Sequence, residues 1–97
     1  MIVYIAGSIS GRDYKEAREH FSRVQKNFME KGIQHINPMK LDHDHDKSWE
    51  AYMKECIKAL MSCDAIYMLK GWEESRGALI EFKLAVSLDY KILFEPL

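Results

Sequence analysis

The chain has 97 residues, of which 47% are hydrophobic and 30% charged, and its formal net charge is -1. This length allows one domain with a modest core, and 14 basic against 15 acidic residues leave no charge patch for duplex nucleic acid or an anionic membrane. The apolar runs are too short to span a bilayer and no basic leader precedes the first one, so we expect a single cytoplasmic domain over residues 1–97 that binds small polar molecules or proteins.

Short β-branched or aromatic runs alternate with amphipathic segments, which is the pattern of βαβ units around a parallel sheet. The continuous apolar run Ile2–Ala6 predicts a buried central strand. A helix follows, with Asp13 as its N-cap, apolar residues at helical spacing, and Gly32 at its end. Residues 33–37 predict a short second strand, because Pro38 favours extended geometry before it and cannot donate to a ladder.

The second half of the chain repeats this alternation. Ser48 is the N-cap of a second helix with one apolar stripe, and Asp64 opens a third strand, AIYML. A third helix begins after Ser75, and KILFE is the next strand. We therefore predict a three-layer α/β/α sandwich, Rossmann-like and flavodoxin-like, with a parallel sheet of four or five strands. Ligands are expected beyond the carboxyl ends of those strands.

Two groups of residues suggest metal or redox chemistry only weakly. Cys56 and Cys63 lie seven residues apart on the second predicted helix without CxxC spacing, and we interpret them as reduced core thiols. The run LDHDHD places His43 and His45 among carboxylates, a pattern found in divalent metal sites and also in solvated loops. We assign no metal and no cofactor.

The third helix, in GWEESRGALIEFKLA, is apolar on two sides yet carries one carboxylate, Glu81. On a helical wheel, the face expected to pack on the sheet contains Ala78, Leu79, Phe82, Ala85 and Val86. The other apolar face contains Ile80, Leu84 and Leu88, and it predicts a homodimer or a higher homo-oligomer formed through this helix. Glu81 lies between the faces, directly over Gly77 one turn earlier, where the missing side chain predicts open space.

Glu81 allows two interpretations. In the first, it pairs with a cation such as Arg76 or Lys83, or reaches water at the helix edge. In the second, it is a nucleophile or ligand group held among apolar side chains, where an isolated charge is costly. Burial alone would raise its pKa, so an ionised Glu81 needs a hydrogen-bond donor, and Tyr4 on the central strand is the candidate.

The turn between the first strand and the first helix is a candidate anion site, because backbone N–H groups and the helix dipole attract anions there. The turn contains Gly7, Ser8, Ile9, Ser10, Gly11 and Arg12, and all of these except Ser10 are candidate substrate-binding residues by the resemblance described below. A plain βα turn remains an equal alternative, since the sequence fits neither GxGxxG nor GxxxxGK[ST]. Ser75 caps the third helix and gives a second such N-terminus, in the same subunit or across a two-fold interface. Two anion sites around one carboxylate suggest a nucleotide or sugar phosphate.

Trp72 lies beside Gly71 at the expected ligand edge. An aromatic ring there would either stack on a base or pack against its own loop. We include it among the candidate substrate-binding residues, together with Gly77.

Several motifs resemble the nucleoside 2-deoxyribosyltransferase-like superfamily, most closely its small DUF4406 group, which phages and prophages often carry. These motifs are YIAGSISG, NP, the W…YM pair, CDAIYML, GWEESRGA and E…LA, and they span nearly the whole chain. The GSIxG turn is also similar to that of 2′-deoxynucleoside 5′-phosphate N-hydrolases. The resemblance implies a flavodoxin-like sheet, an oligomer, and cleavage or transfer of an N-glycosidic bond, in which Glu81 attacks C1′ of the sugar and Tyr4 hydrogen-bonds it.

The same resemblance implies that the Gly7–Arg12 turn, with Ser75, holds a 5′-phosphate. The chain departs from the active relatives at Cys56, eight residues before Asp64, where they carry an aspartate. A thiol is a poor substitute for that acid, and Glu55 points about 100° away on a helix. The alternative class of function is therefore a module that binds a nucleotide or a protein without turnover.

Overall fold

The structure, a computed structural model, describes residues 1–41 and 48–96. Within these ranges it has four strands, β1 (Val3–Ala6), β2 (His35–Ile36), β3 (Ala65–Met68) and β4 (Lys91–Phe94). All neighbouring pairs are parallel, in the order β2-β1-β3-β4. This is the order of flavodoxin-like sheets. The predicted fold class is confirmed, with no fifth strand in the described ranges.

Three α-helices connect the strands: α1 (Tyr14–Glu30), α2 (Trp49–Leu60) and α3 (Arg76–Ser87). Short 3₁₀ turns occupy Pro38–Lys40 and Trp72–Glu74. No helix in the described part of the chain is long and apolar enough to cross a membrane.

Alternate side chains of β1 serve the two faces of the sheet, as the strand period requires. Val3 and Ile5 pack with α1 residues such as Phe21. Tyr4 and Ala6 pack with α2 and α3 in a second cluster. The sheet thus lies between α1 on one side and α2 with α3 on the other, which gives the three predicted layers.

The predicted N-caps are all present. The side chain of Asp13 accepts hydrogen bonds from the backbone N–H groups of the first turn of α1, and Ser48 and Ser75 do the same for α2 and α3. Each satisfies a donor that the helix itself cannot pair, so these local signals fix where the helices begin.

The second strand is shorter than predicted. The N–H of Ile33 donates to the Phe28 carbonyl at the end of α1, and the side chain of Asn37 caps the 3₁₀ turn at Pro38. The two ends of the predicted strand 33–37 therefore take part in other structures: residue 33 in the end of α1 and residue 37 in the start of the 3₁₀ turn.

The helical-wheel prediction for α3 is correct for Ala78 and Ala85, which are buried, and for Phe82, which packs against the same core cluster, but not for Val86. The buried residues of α3 are Gly77, Ala78, Glu81 and Ala85. Val86, expected on the sheet, is 49% exposed. Three of the four buried residues are Gly or Ala, whose small size allows a close approach, while Phe82 and Leu84 pack against the edge of the same core cluster.

Candidate active site

Glu81 and Tyr4 meet at the centre of the site. The Tyr4 hydroxyl donates a hydrogen bond of 2.5 Å to Glu81 Oε2, and both residues are buried. Tyr4 points from β1 toward α3 because the strand alternation places it on that face, and the small residues of α3 bring Glu81 down to meet it. The predicted contact between these residues is confirmed.

Burial and this hydrogen bond act on Glu81 in opposite directions. Burial raises the pKa of Glu81 to about 7, although the hydrogen bond from Tyr4 favours the ionised form. Burial and the Glu81 charge raise the pKa of Tyr4 well above its usual value, so Tyr4 remains a donor. At neutral pH the neutral and ionised forms of Glu81 are therefore both populated.

No cation in the described ranges pairs with Glu81. Lys83 is exposed to solvent, and Arg76 lies over the ring of Trp49. The ion-pair and solvent interpretations of Glu81 are therefore wrong for this structure, and the carboxyl is held among apolar groups as the second interpretation required.

A small cavity adjoins Glu81, with a volume of about 20 Å³ for the centres of water-sized molecules. The residues that the sequence singled out and that line it are Tyr4, Gly7, Ile9, Ser75, Gly77 and Glu81. The β1–α1 turn and the N-terminus of α3 thus face the same cavity within one chain. The two candidate anion sites therefore lie side by side within one chain.

Residues of α2 that the sequence placed on an apolar stripe, and that include the W…YM pair and Cys56, also line the cavity. Trp49, Tyr52, Met53 and Cys56 all line it. Burial, followed by the Glu81 charge, raises the pKa of the Cys56 thiol to about 11. The signal that could have identified them is their spacing, because residues 49, 52, 53 and 56 share one face of α2, and that face looks toward Glu81.

Ser8, Gly11 and Arg12 do not line the cavity, in contrast to the expectation for the turn. The guanidinium of Arg12 donates to the Ser8 carbonyl at 3.3 Å and lies 3.3 Å from His20 Nδ1. His20 belongs to α1, on the other side of the sheet, so its hydrogen bond draws the Arg12 side chain away from Glu81.

The Arg12 contact continues into a network that the sequence did not reveal. His20 Nε2 lies 2.8 Å from Glu95 Oε1, which also accepts a 2.7 Å hydrogen bond from the Lys70 backbone N–H. If Nδ1 accepts from Arg12, Nε2 carries the proton and donates to Glu95. Burial would raise the pKa of Glu95, but the hydrogen bonds from Lys70 and His20 outweigh it and hold that pKa below its usual value. The available signal was a polar residue, His20, on the buried stripe of α1.

Trp72 does not line the cavity either. Its ring packs against Phe82, with the ring centroids 4.7 Å apart, and against Phe94 at 6.2 Å. Trp72 thus packs in this structure against α3 and β4, not against its own loop, and its role in base stacking stays a prediction.

Both cysteines are free and buried, as expected. In the described ranges, no group of three or more His, Cys, Asp or Glu side chains could hold a metal ion. His43 and His45 lie outside the described residues.

Comparisons with known proteins agree with this architecture. The profile of a family described as "Domain of unknown function (DUF4406)" matches residues 1–94. The fold is similar to that of a 2-deoxyribosyltransferase from the psychrotolerant bacterium Bacillus psychrosaccharolyticus, with a TM-score of 0.74 and 15% sequence identity. That match covers 97% of this chain and 71% of the other. No protein with a curated description matches the chain in sequence.

Proposed function

The chain belongs to the DUF4406 family, and we propose that it cleaves or transfers the N-glycosidic bond of a small nucleoside or deoxynucleoside, or of its 5′-monophosphate. The observation that carries the proposal is the buried Glu81 carboxyl, which accepts a hydrogen bond from Tyr4 beside a cavity at the carboxyl edge of the sheet. The fold shared with a 2-deoxyribosyltransferase supports it.

In the proposed reaction, Glu81 is the nucleophile. One carboxylate oxygen forms a bond to C1′ as the bond between C1′ and the base nitrogen breaks, and the base leaves with that electron pair. Water, or a second base, then attacks C1′ and releases Glu81, which gives hydrolysis or transfer respectively. Tyr4 is a positioning residue in this scheme, because its hydrogen bond orients the carboxylate and favours its ionised form.

A 5′-phosphate would bind at the β1–α1 turn and the N-terminus of α3, since both face the cavity and both present backbone N–H groups. We propose Gly7, Ile9 and Ser75 for this role. Ser8, Gly11 and Arg12 would act indirectly by holding the turn, because Arg12 already donates to the Ser8 carbonyl.

One observation favours a second candidate, a module that binds a nucleotide without turnover. The departing base needs a proton, and the cavity group that replaces the aspartate of active relatives is the Cys56 thiol, whose pKa is about 11. A thiol with that pKa is a weak general acid at neutral pH. In this alternative the pocket is kept while the chemical step is lost.

The two candidates are separated by incubating the protein with deoxynucleosides and deoxynucleoside 5′-monophosphates and following free base by chromatography. If Glu81 is the nucleophile, Glu81→Gln and Glu81→Ala lower base release by at least about 1,000-fold. Mass spectrometry of the denatured wild type should show a glycosyl adduct on the peptide that contains Glu81.

The matched control is Glu74→Gln, which neutralises an exposed carboxylate close to the N-terminus of α3 and should release base like wild type. Binding of a nucleotide without base release would favour the non-catalytic module. Equal release by wild type and Glu81→Gln would exclude Glu81 as the nucleophile.

A further inference from the structure

The cavity beside Glu81 is too small for the proposed substrate. Its volume of about 20 Å³ admits about one water molecule, whereas ligand pockets usually measure about 300–1,000 Å³. Part of the lining must therefore move before a pentose ring can reach Glu81.

Met53 fills the space over Gly77, in the same cavity lining as Glu81. A Cβ placed on Gly77 would lie 2.9 Å from Met53 Sδ and 3.9 Å from Trp49 Cζ2. The open space that the sequence predicted over Gly77 is thus filled by two side chains of α2. Met53 itself is buried and lies one helical turn from Trp49 on the same face.

The two side chains are not held equally. The guanidinium of Arg76 lies over the Trp49 ring, 4.3 Å from its centroid, and fixes the indole by a cation–π contact. Met53 is unbranched, has three rotatable side-chain bonds, and ends in a thioether that makes only weak directional contacts. Met53 can therefore leave the space over Gly77 more easily than Trp49 can.

We propose that Met53 determines the size of ligand that reaches Glu81. With its thioether over Gly77, the site admits water only. When Met53 turns away, the space over Gly77 joins the cavity and a pentose can approach the carboxylate. The identity of that ligand rests on the proposed function, whereas the control of access by Met53 does not.

The two cysteines report on this access without any need for activity. Cys56 lines the cavity, while Cys63 is buried beyond the end of α2 and does not line it. We would measure the alkylation rate of each cysteine by iodoacetamide at one pH, with peptide-resolved mass spectrometry. Met53→Ala should accelerate alkylation of Cys56 by at least about tenfold, as expected for a local opening, and leave Cys63 within about twofold of wild type.

Met53→Leu is the matched control, because it conserves volume and should keep Cys56 protected. Met53→Val removes less apolar contact than Met53→Ala does, and it replaces Met53→Ala in this experiment if that variant does not fold. Equal acceleration of both cysteines would indicate global unfolding and overturn the proposal, as would unchanged Cys56 alkylation in the truncated variants.

Deoxynucleoside binding to wild type and Met53→Ala separates this proposal from the proposed function. Selective opening at Cys56 with tighter binding, by at least about fivefold, supports both proposals. Selective opening without binding to either protein leaves the role of Met53 intact and contradicts the proposed function. Base release by wild type, with no selective opening in the variants, contradicts the role of Met53 alone.

Discussion

Glu81 shows how burial and one hydrogen bond together set the ionisation of a carboxyl. Burial disfavours the charged form of Glu81, and the hydrogen bond from the Tyr4 hydroxyl offsets part of this free-energy cost. Tyr4, which donates that hydrogen bond, lies 77 positions from Glu81 in the sequence. Both side chains could be named from the sequence, because an acidic residue on an apolar helix and a polar residue on a buried strand are each unusual.

The first prediction concerns the pH dependence of stability. Folding raises the pKa of Glu81 from 4.5 to about 7, so the folded state holds this proton more tightly than the unfolded state does. The resulting contribution to the free energy of unfolding is fully present below pH 4.5 and is lost as the pH rises through about 7. Glu81→Gln keeps an acceptor for Tyr4 but cannot ionise. Relative to wild type, the variant should therefore gain about 3 kcal/mol in the free energy of unfolding between pH 4 and pH 8. Urea denaturation across this range measures the difference, and a pH-independent difference would contradict it.

The second prediction concerns Tyr4. In Tyr4→Phe the donor is lost, so the pKa of Glu81 should rise above about 7 because only burial remains. Titration of the Glu81 side-chain carbon by ¹³C NMR measures it. Tyr52→Phe removes another hydroxyl from the same cavity and should leave the pKa of Glu81 unchanged. A fall in the pKa of Glu81 in Tyr4→Phe would show that Tyr4 does not stabilise the carboxylate.

Among the elements, Glu95 links the end of β4 to helix α1 and to the loop after β3. Its carboxylate accepts from the Lys70 N–H after β3 and from His20 on α1, and His20 in turn contacts Arg12 at the β1–α1 turn. One side chain after β4 thus connects both loops at the ligand edge. Sequence reasoning missed it because every one of these partners is distant along the chain.

The third prediction follows from this network. Glu95→Gln should lower the free energy of unfolding by about 1–3 kcal/mol at pH 7, because a neutral amide makes weaker hydrogen bonds than a carboxylate. The pKa of Glu95 is lowered, so its contribution is present above pH 4.5 and lost as the pH falls through the folded pKa. The two proteins should therefore converge at acidic pH in urea denaturation. Glu73→Gln, at an exposed site, should match wild type throughout, and an equal loss in both variants would contradict the prediction.

The orientation of α3 depends on side-chain size as well as on hydrophobic periodicity. The helical wheel correctly placed Ala78, Phe82 and Ala85 toward the core, but it also placed Val86 there. Close approach through Gly77, Ala78 and Ala85 leaves Val86 and Leu88 about half exposed. Helical wheels weight residues by hydrophobicity, whereas packing also depends on side-chain size.

The fourth prediction belongs to the whole molecule. Val86 on α3, Leu88 directly after it and Phe94 at the end of β4 are 49%, 50% and 54% exposed, and apolar side chains exposed in this way can favour association. We expect a homo-oligomer formed through α3. Val86→Glu with Leu88→Glu should shift the mass measured by analytical ultracentrifugation to that of a monomer. Met29→Glu, on the exposed side of α1, should not. An unchanged mass in the double variant would exclude this surface.

The sequence by itself determined the elements of this protein, because helix caps, apolar periodicity and the effect of Pro38 act between residues close along the chain. It also determined the parallel sheet, since β-runs that alternate with helices leave few other connections. The tertiary structure alone decided that Trp72 packs on Phe82, that Arg12 turns toward His20, and that Met53 fills the space over Gly77. Each of these depends on which side chains distant in sequence compete for the same volume, and a one-dimensional pattern does not contain that information.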